Sequence, residues 1–126
     1  MMLAQRTAAP ARVARKNAAG DAVYAAQAYA PGDVVFLFGD VEWRPRRDSD
    51  TVEHPGGGHI FHPVLAKASH SCEPNCRIEL EDRAMIAIRA IEPGEAITYD
   101  YETTETWFSH PFWCLCGSRR CRGRIG

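Results

Sequence analysis

Three closely spaced cysteines near the C-terminus constrain this chain more than any other feature. Cys114, Cys116 and Cys121 place three sulfur atoms within eight residues of a chain of 126. A chain of this length forms one small domain, whose limited core benefits from a staple such as a bound metal ion. Five cysteines in tight clusters do not fit a disulfide framework, and they favour a metal site in a reducing compartment. We therefore expect a cytoplasmic protein with a bound zinc ion.

The fourth zinc ligand has to come from another part of the chain. Three thiolates are one short of the four ligands that close a tetrahedral structural zinc site. From the residues alone the candidates are Cys72, Cys76, His70 and His110. A ligand from the distant segment 70–76 would join the C-terminal tail to the body of the domain by closing a loop of roughly 40 residues.

Short apolar segments separated by turn residues predict a mainly β fold. Residues 34–38 form a continuous apolar run of strand length, and residues 77–81 alternate between polar and apolar side chains. The Pro-Gly pair at 93–94 marks a turn, and residues 51–62 have the pattern of a hairpin with a glycine-rich tip. The only helical candidate is the short segment 63–69, which begins with a proline.

Charge is distributed unevenly along the chain. All sixteen acidic residues lie in 21–113 beside seven basic residues, whereas 1–20 and 114–126 each contain four basic residues and no acidic one. An acidic body argues against direct nucleic-acid binding and suits a basic partner such as a Lys/Arg-rich peptide, although separation along a chain need not persist in space. No window approaches eighteen consecutive apolar residues, so we expect no membrane partner. The oligomeric state is left open, a homodimer included.

Four separated segments carry a family resemblance, in a fitting order and spacing. Residues 69–76 (SHSCEPNC) resemble the Asn-His-Ser-Cys-x-Pro-Asn signature of SET-domain protein-lysine methyltransferases. Residues 94–101 (GEAITYDY) are similar to that family's Gly-Glu-Glu-Leu-Thr-Tyr-Asp-Tyr motif, and residues 112–123 (FWCLCGSRRCRG) resemble its post-SET zinc segment. Residues 20–35 (GDAVYAAQAYAPGDVV) are similar to its opening stretch. The resemblance covers about residues 12–124, nearly the whole chain.

The resemblance implies a fold, a domain organisation and an activity. The fold would consist of several small curved sheets with a knot-like active site and a C-terminal zinc-bound segment. It implies a flexible arm over 1–11, a SET domain over 12–110 and a post-SET segment over 111–126. The family transfers a methyl group from S-adenosylmethionine to the lysine side chain of a protein or peptide, which enters through a narrow channel opposite the donor.

The same resemblance assigns roles to individual residues. Tyr101 matches the catalytic tyrosine, and Tyr99 matches the position that sets how many methyl groups are added, where a tyrosine is typical of mono- and dimethylating members. Cys76 would be a small buried side chain. The donor would be bound by Gly20, Asp21, Ala22, Ser69, His70 and Tyr101. One structural Zn²⁺ would be held by Cys72, Cys114, Cys116 and Cys121.

Two departures from the family pattern keep an alternative open. Ser69 replaces the usual asparagine of the signature, and Ala22 replaces the second glycine of the opening motif. Both favour a non-catalytic, zinc-stapled SET-like module that binds a basic partner peptide. The intact Tyr101 and the complete cysteine set favour the enzyme. A third possibility is a methyltransferase whose acceptor is not lysine.

Several other chemistry-bearing residues are expected to lie on the surface without a ligand role. His54, His59 and His62 belong to the predicted hairpin, where a spacing of three does not place two side chains on one face of a strand. Glu102 and Glu105 follow the matched tyrosine and are interpreted as solvated carboxylates.

Overall fold

The computed structural model describes the backbone of residues 12–15 and 21–126. Side chains are described from residue 22 onwards. The predicted arm 1–11 and the predicted donor ligand Gly20 lie outside the described residues. Short strands dominate the described part of the chain, so the mainly β prediction is confirmed. The strands are β1 (Arg12–Arg15), β2 (Asp21–Tyr24), β3 (Val34–Leu37), β4 (Glu42–Arg44), β5 (Val52–Glu53), β6 (His59–Phe61), β7 (Ser69–His70), β8 (Cys76–Glu79), β9 (Ala84–Ala87), β10 (Thr98–Tyr99), β11 (Phe112–Trp113) and β12 (Arg124–Ile125).

A three-stranded antiparallel sheet in the order β3-β9-β8 holds the core. Every residue of β9 is buried, because this central strand is covered on both faces. On one face Met85 packs among the main cluster of buried side chains with Phe38 and Ile97, and on the other face Ile86 packs against Val34. The predicted apolar run at 34–38 contains β3, an edge strand of this sheet whose first three residues are buried and whose pairing with β9 has a register shift between Val34 and Phe36.

The predicted hairpin at 51–62 is present as β5 and β6, which pair with Val52 opposite Ile60. Both of these side chains are buried. β4, which the sequence pattern did not predict, pairs with the other edge of β6, where Glu42 lies opposite Phe61. None of its three residues, Glu-Trp-Arg, is buried, so the strand depends on its neighbour rather than on an apolar face of its own.

Two small sheets bring distant parts of the sequence together. β7 and β10 pair in parallel, with Ser69 opposite Thr98 and His70 opposite Tyr99, so the two signature segments lie side by side. β11 and β12 pair antiparallel within the predicted post-SET segment. The fully buried Ile125 of β12 packs with Cys72 and Cys114, which holds that segment against the body.

Helical structure is limited to single turns among the described residues. The helical candidate at 63–69 is reduced to a 3₁₀ turn, η1 (Leu65–Lys67), because Ala68 becomes extended and leads into β7. A second 3₁₀ turn, η2 (Tyr101–Thr103), follows β10 directly and is capped by the Asp100 side chain, which accepts a hydrogen bond from the Glu102 amide. No helix in the described part of the chain is both long and apolar enough to cross a bilayer.

Candidate active site

Four cysteine sulfur atoms lie together where the C-terminal segment meets β7. The Sγ atoms of Cys72, Cys114, Cys116 and Cys121 are all within 4.8 Å of one another. Four thiolates at such distances are the ligand set of a closed tetrahedral zinc site, so the residues present fit the metal. Of the candidates for a fourth ligand, only Cys72 contributes to this cluster of described residues. Cys76 lies instead in the main core, where burial raises the pKa of its thiol to about 12.

The surroundings of Cys116 favour the thiolate form of its side chain. Hydrogen bonds at Ser118, whose hydroxyl oxygen is 3.5 Å from the Cys116 sulfur, lower the pKa of the Cys116 thiol. Burial raises the pKa of the Cys114 thiol, so this sulfur depends on a metal ion to lose its proton. A structural Zn²⁺ would supply that charge and hold the tail in place.

Tyr101 occupies the first position of η2 and is fixed at both ends. Its hydroxyl donates a 2.6 Å hydrogen bond to the backbone carbonyl of Ala68, and its backbone N–H donates to Nδ1 of His70 at 3.1 Å. Burial, with a smaller contribution from the charge of Asp50, raises the pKa of Tyr101 to about 12. The hydroxyl is therefore protonated at neutral pH and has a set direction.

Aromatic rings surround Tyr101 on three sides. Its ring centroid lies 4.9 Å from that of Tyr99, 5.1 Å from His70 and 5.9 Å from Phe112. Tyr99 is almost fully buried, and this burial raises the pKa of its phenol well above the ordinary value. The rings of His70 and Phe112 meet that of Tyr101 edge to face, and such contacts stabilise a packed aromatic wall.

Two depressions share this wall. One, of about 380 Å³, lies toward the cysteine cluster, and the other, of about 170 Å³, lies toward the 47–52 loop. The first is lined by Lys67, Ser69, His70, Cys114, Leu115 and Cys116, and the second by Asp50, Thr51, Tyr99, Glu105, Trp107 and Phe108, among others. Tyr101, Phe112, Ala66 and Ala68 line both. The described residues thus form two cavities that meet at the Tyr101 side chain.

The predicted donor-binding residues are only partly gathered at the first cavity. Ser69, His70 and Tyr101 line it. Ala22 is fully buried, and it is not among the described residues that line the cavity. The side chain of Asp21 lies outside the described set. A donor-binding role for Ala22 and Asp21 stays a prediction from the family pattern.

The second cavity is rich in carboxylates. Asp48, Asp50 and Glu105 contribute to its lining. Arg47 also lies there, but its guanidinium already pairs with Glu53 at 3.1 Å and with Glu105 at 3.7 Å. Asp48 in turn pairs with Arg44 at 3.0 Å, so Asp50 supplies most of the negative charge that is left to favour a cationic occupant.

The expectation that Glu105 is a solvated carboxylate is wrong. Only 12% of its side chain is exposed. It accepts a 2.8 Å hydrogen bond from the Glu53 amide in addition to its pairing with Arg47. These partners lie about fifty residues away, so no local sequence signal could have indicated them. Glu102 is more exposed, as expected, and pairs with Arg122 at 3.0 Å.

The three hairpin histidines are half-buried rather than fully exposed. None of them belongs to the cysteine cluster or to another group of possible metal ligands within the described residues. His62 has a structural role, since its Nδ1 accepts hydrogen bonds from the amides of Val64 and Leu65 at the start of η1.

Comparisons with known proteins agree with this arrangement. Residues 48–102 match the family model of the SET domain. The chain is 42% identical over 64 residues to the histone-lysine N-methyltransferase ash1 of Drosophila melanogaster, an alignment that covers 46% of this chain and 3% of that protein. It has the same identity over 64 residues with the histone-lysine N-methyltransferase ASHR3 of Arabidopsis thaliana, covering 46% of this chain and 12% of that one. The chain therefore spans a small part of the length of these relatives.

The fold is also that of solved SET-domain structures. A crystal structure of KRYPTONITE in complex with mCHH DNA, an H3(1-15) peptide and SAH superimposes with a TM-score of 0.66 at 22% identity, over 90% of this chain and 29% of that one. The complex of the same protein with mCHG DNA and SAH gives a TM-score of 0.67. The small sheets and the paired signature segments thus give this chain the fold of these structures, and residues 48–102 resemble the SET domain.

Proposed function

We propose that this chain transfers a methyl group from S-adenosylmethionine to the side-chain amine of a lysine in a protein substrate. The observation that carries the proposal is the position of Tyr101, whose anchored hydroxyl lies in the wall shared by two cavities. The cavity beside Ser69 and His70 would receive the donor, and the carboxylate-rich cavity would receive the lysine. The similarity to histone-lysine methyltransferases supports this assignment.

The chemistry of the transfer matches what these residues can supply. A lysine amine must be neutral to attack, whereas its reference pKa is about 10.4. S-adenosylmethionine, when bound, supplies an electrophilic methyl group and a positive charge. That charge and the removal of the amine from water in the channel would both lower the lysine pKa, because each disfavours an ammonium ion.

Positioning would then account for most of the rate acceleration. The Tyr101 hydroxyl donates its hydrogen bond to the Ala68 carbonyl, so a lone pair of the hydroxyl oxygen is free to accept an N–H from the incoming amine. This contact would aim the nitrogen lone pair at the methyl group. Tyr99 and Phe112 would restrict the amine to an in-line approach, and such restriction is a large source of catalysis.

The substrate side favours a basic peptide. Asp48, Asp50 and Glu105 line this cavity, where Asp48 pairs with Arg44 and Glu105 with Arg47. Asp50 is therefore the carboxylate best placed to meet a basic substrate. The exposed Trp107 lies at the same cavity and offers an apolar surface beside the charges. We propose a lysine-bearing, positively charged segment as the substrate class.

The cysteine cluster would hold one structural zinc ion. Four thiolates leave no open coordination position, so the metal would not take part in methyl transfer. It would keep Leu115, which is 93% exposed, at the edge of the donor-side cavity. None of the five cysteines forms a disulfide, which supports a reducing compartment such as the cytoplasm.

The main alternative is a zinc-stapled module that binds a basic peptide without transferring a methyl group. Ser69 and Ala22, the two departures from the family pattern, favour it. Calorimetry with S-adenosylmethionine distinguishes the two functions, because the enzyme must bind the donor. Incubation of a cell extract with labelled donor then tests for transfer, with the heat-inactivated chain as the control. Donor binding with label on lysine supports the enzyme, and absence of both supports the module.

A further inference from the structure

We infer that Arg122 is a positioning residue that couples the cysteine cluster to the turn carrying Tyr101. The inference rests on the proposed function for its kinetic consequence, whereas its structural consequence can be measured without activity. Arg122 lines neither of the two cavities among the described residues, so its influence on Tyr101 would be indirect.

Arg122 contacts both sides of this junction. It follows Cys121 in the chain, and its backbone N–H donates a hydrogen bond to the Cys72 sulfur at 3.3 Å. Its guanidinium donates two hydrogen bonds to the carboxylate of Asp100, at 3.0 Å and 2.7 Å, and its Nε lies 3.0 Å from a carboxylate oxygen of Glu102. A two-point contact between a guanidinium and a carboxylate fixes orientation as well as distance.

Asp100 is the residue that organises the η2 turn. Its side chain accepts the hydrogen bond of the Glu102 amide at 3.0 Å, and its backbone carbonyl accepts that of the Thr103 hydroxyl at 2.6 Å. In the chain, Tyr101 lies between Asp100 and these two partners. Because Asp100 caps η2, an arginine that fixes Asp100 also fixes the position of Tyr101 at the start of this turn.

A second path runs from the same sulfur to the same tyrosine. Nδ1 of His70 accepts the Tyr101 backbone N–H at 3.1 Å. An N–H can only donate, so the proton of the neutral ring lies on Nε2. That nitrogen is 3.4 Å from the Cys72 sulfur, which places its N–H as a donor to this sulfur, one of the four that would hold the metal. Two paths thus join Cys72 to Tyr101. One runs through His70, and the other runs through Arg122 and Asp100.

The Asp100 pair is the specific feature of Arg122 within a generally basic tail. Arg119, Arg120 and Arg124 form no ion pair with any residue in the described part of the chain. The Asp100 side chain is only 15% exposed, so its pairing is less weakened by solvent than that of a surface pair. Burial acts to raise the Asp100 pKa, but the hydrogen bonds from Arg122 and from the Glu102 amide, together with the charge of Arg122, outweigh burial and lower that pKa.

The structural test is amide hydrogen exchange by NMR on the zinc-loaded chain. Arg122→Gln removes the charge and the two-point contact, and Arg120→Gln is the matched control in the same exposed segment. We expect exchange at the amides of Tyr101 and Glu102 to become roughly tenfold faster in Arg122→Gln and to stay unchanged in Arg120→Gln. Bound zinc should remain stoichiometric in both. Equal exchange in the two variants would overturn the inference.

Asp100→Asn provides a second variant in case Arg122→Gln fails to fold or to bind zinc. It keeps an acceptor for the Glu102 amide but loses the charge that pairs with Arg122. Faster exchange at Tyr101 in this variant supports the coupling, and unchanged exchange overturns it. In the double variant the effects should not add, because both substitutions remove the same contact.

The kinetic test uses the same variants. Arg122→Gln should lower kcat on the order of tenfold while the KM for the peptide stays nearly constant, since the residue touches neither reactant. Arg122→Lys should restore part of the loss. A change confined to KM, or the same loss in Arg120→Gln, would contradict a positioning role. If the parent chain is inactive and Arg122→Gln still shows faster amide exchange, the proposed function is rejected and the coupling remains supported.

Discussion

The buried side chain of Asn75, in the signature segment 69–76, is hydrogen-bonded to Thr98 in the second signature segment, 94–101. The Thr98 amide donates to the Asn75 side-chain oxygen at 2.9 Å, and the Asn75 amide donates in return to the Thr98 hydroxyl oxygen at 3.1 Å. The Asn75 side-chain nitrogen donates to the Ala96 carbonyl at 2.8 Å. This exchange lies beside the parallel pairing of β7 with β10, so it helps to hold the strand that precedes Tyr101.

Asn75→Ala should lower the free energy of unfolding by about 3 kcal/mol. The substitution leaves the Thr98 N–H and the Ala96 carbonyl without partners in a region where Asn75 is only 1% exposed, and unpaired buried groups of this kind are costly. Denaturant unfolding followed by tryptophan fluorescence measures the change. The exposed Glu73 provides the control, since Glu73→Ala should change stability little. A loss as small as that of the control would contradict the structural role of Asn75.

Tyr101→Phe should leave the chain folded and zinc-bound while lowering methyl transfer at least about a hundredfold. The substitution removes one oriented oxygen from the wall between the cavities, and losses of this size accompany removal of one pre-oriented polar group. The stability cost should be about 1 kcal/mol, the usual value for one hydrogen bond. Single-turnover kinetics with labelled donor measures the rate, and circular dichroism and metal analysis check the fold. Normal turnover by the variant would remove Tyr101 from the mechanism.

Tyr99→Phe should shift the products toward more highly methylated lysine. The family pattern associates a tyrosine here with mono- and dimethylation, and Tyr99 lies 4.9 Å from Tyr101 in the buried wall of the substrate-side cavity. Loss of its hydroxyl would free the space of a bound water and admit a bulkier amine. Mass spectrometry of the modified peptide measures the distribution. Trimethyllysine as the main product of the unaltered chain would contradict the assignment.

Much of the site was predictable because its residues belong to compact motifs. The Cys114–Cys121 spacing indicated a metal site from chemistry alone, and the signature around Cys72 identified the remaining sulfur. The strands that contain Val34 and Ile60 were predictable because buried strands carry their own apolar pattern.

The contacts that complete the site could not be predicted in this way. Arg122 and Asp100 are separated by 22 positions, and Glu53 and Glu105 by 52, and nothing in the residues around either pair distinguishes them from solvated charges. Likewise β7 and β11 are two residues long and have no periodicity that a pattern could reveal. Such strands form only because a partner strand, supplied by the fold, is already in place.

Single cysteine substitutions should separate the zinc ligands from the buried thiol. Cys72→Ser should lose zinc, because serine is a poor replacement for a thiolate in a four-sulfur site. Cys76→Ala should retain stoichiometric zinc, since burial raises the pKa of that thiol to about 12 and keeps it protonated in the core. Metal analysis after gel filtration measures both. Zinc retained in Cys72→Ser and lost in Cys76→Ala would reverse the assignment.

His62 should make stability depend on pH below about 6.5. Burial lowers the pKa of His62, against a smaller opposing effect of Asp40. The unfolded chain, with an ordinary histidine pKa near 6.5, then binds more protons than the folded chain as the pH falls. Unfolding free energy therefore decreases below about pH 6.5 and continues to decrease until the folded-state pKa is reached. Protonation also removes the Nδ1 acceptor of the Val64 and Leu65 amides.

The test compares thermal unfolding of the parent chain and His62→Gln between pH 7.5 and about pH 5.5, a window chosen around the histidine reference value. Zinc release and other titrating groups weaken both proteins at low pH, so only the difference between them reports on His62. We expect the parent to lose more stability than the variant on acidification. Parallel pH profiles for parent and His62→Gln would show that this histidine titrates alike in the folded and unfolded chains.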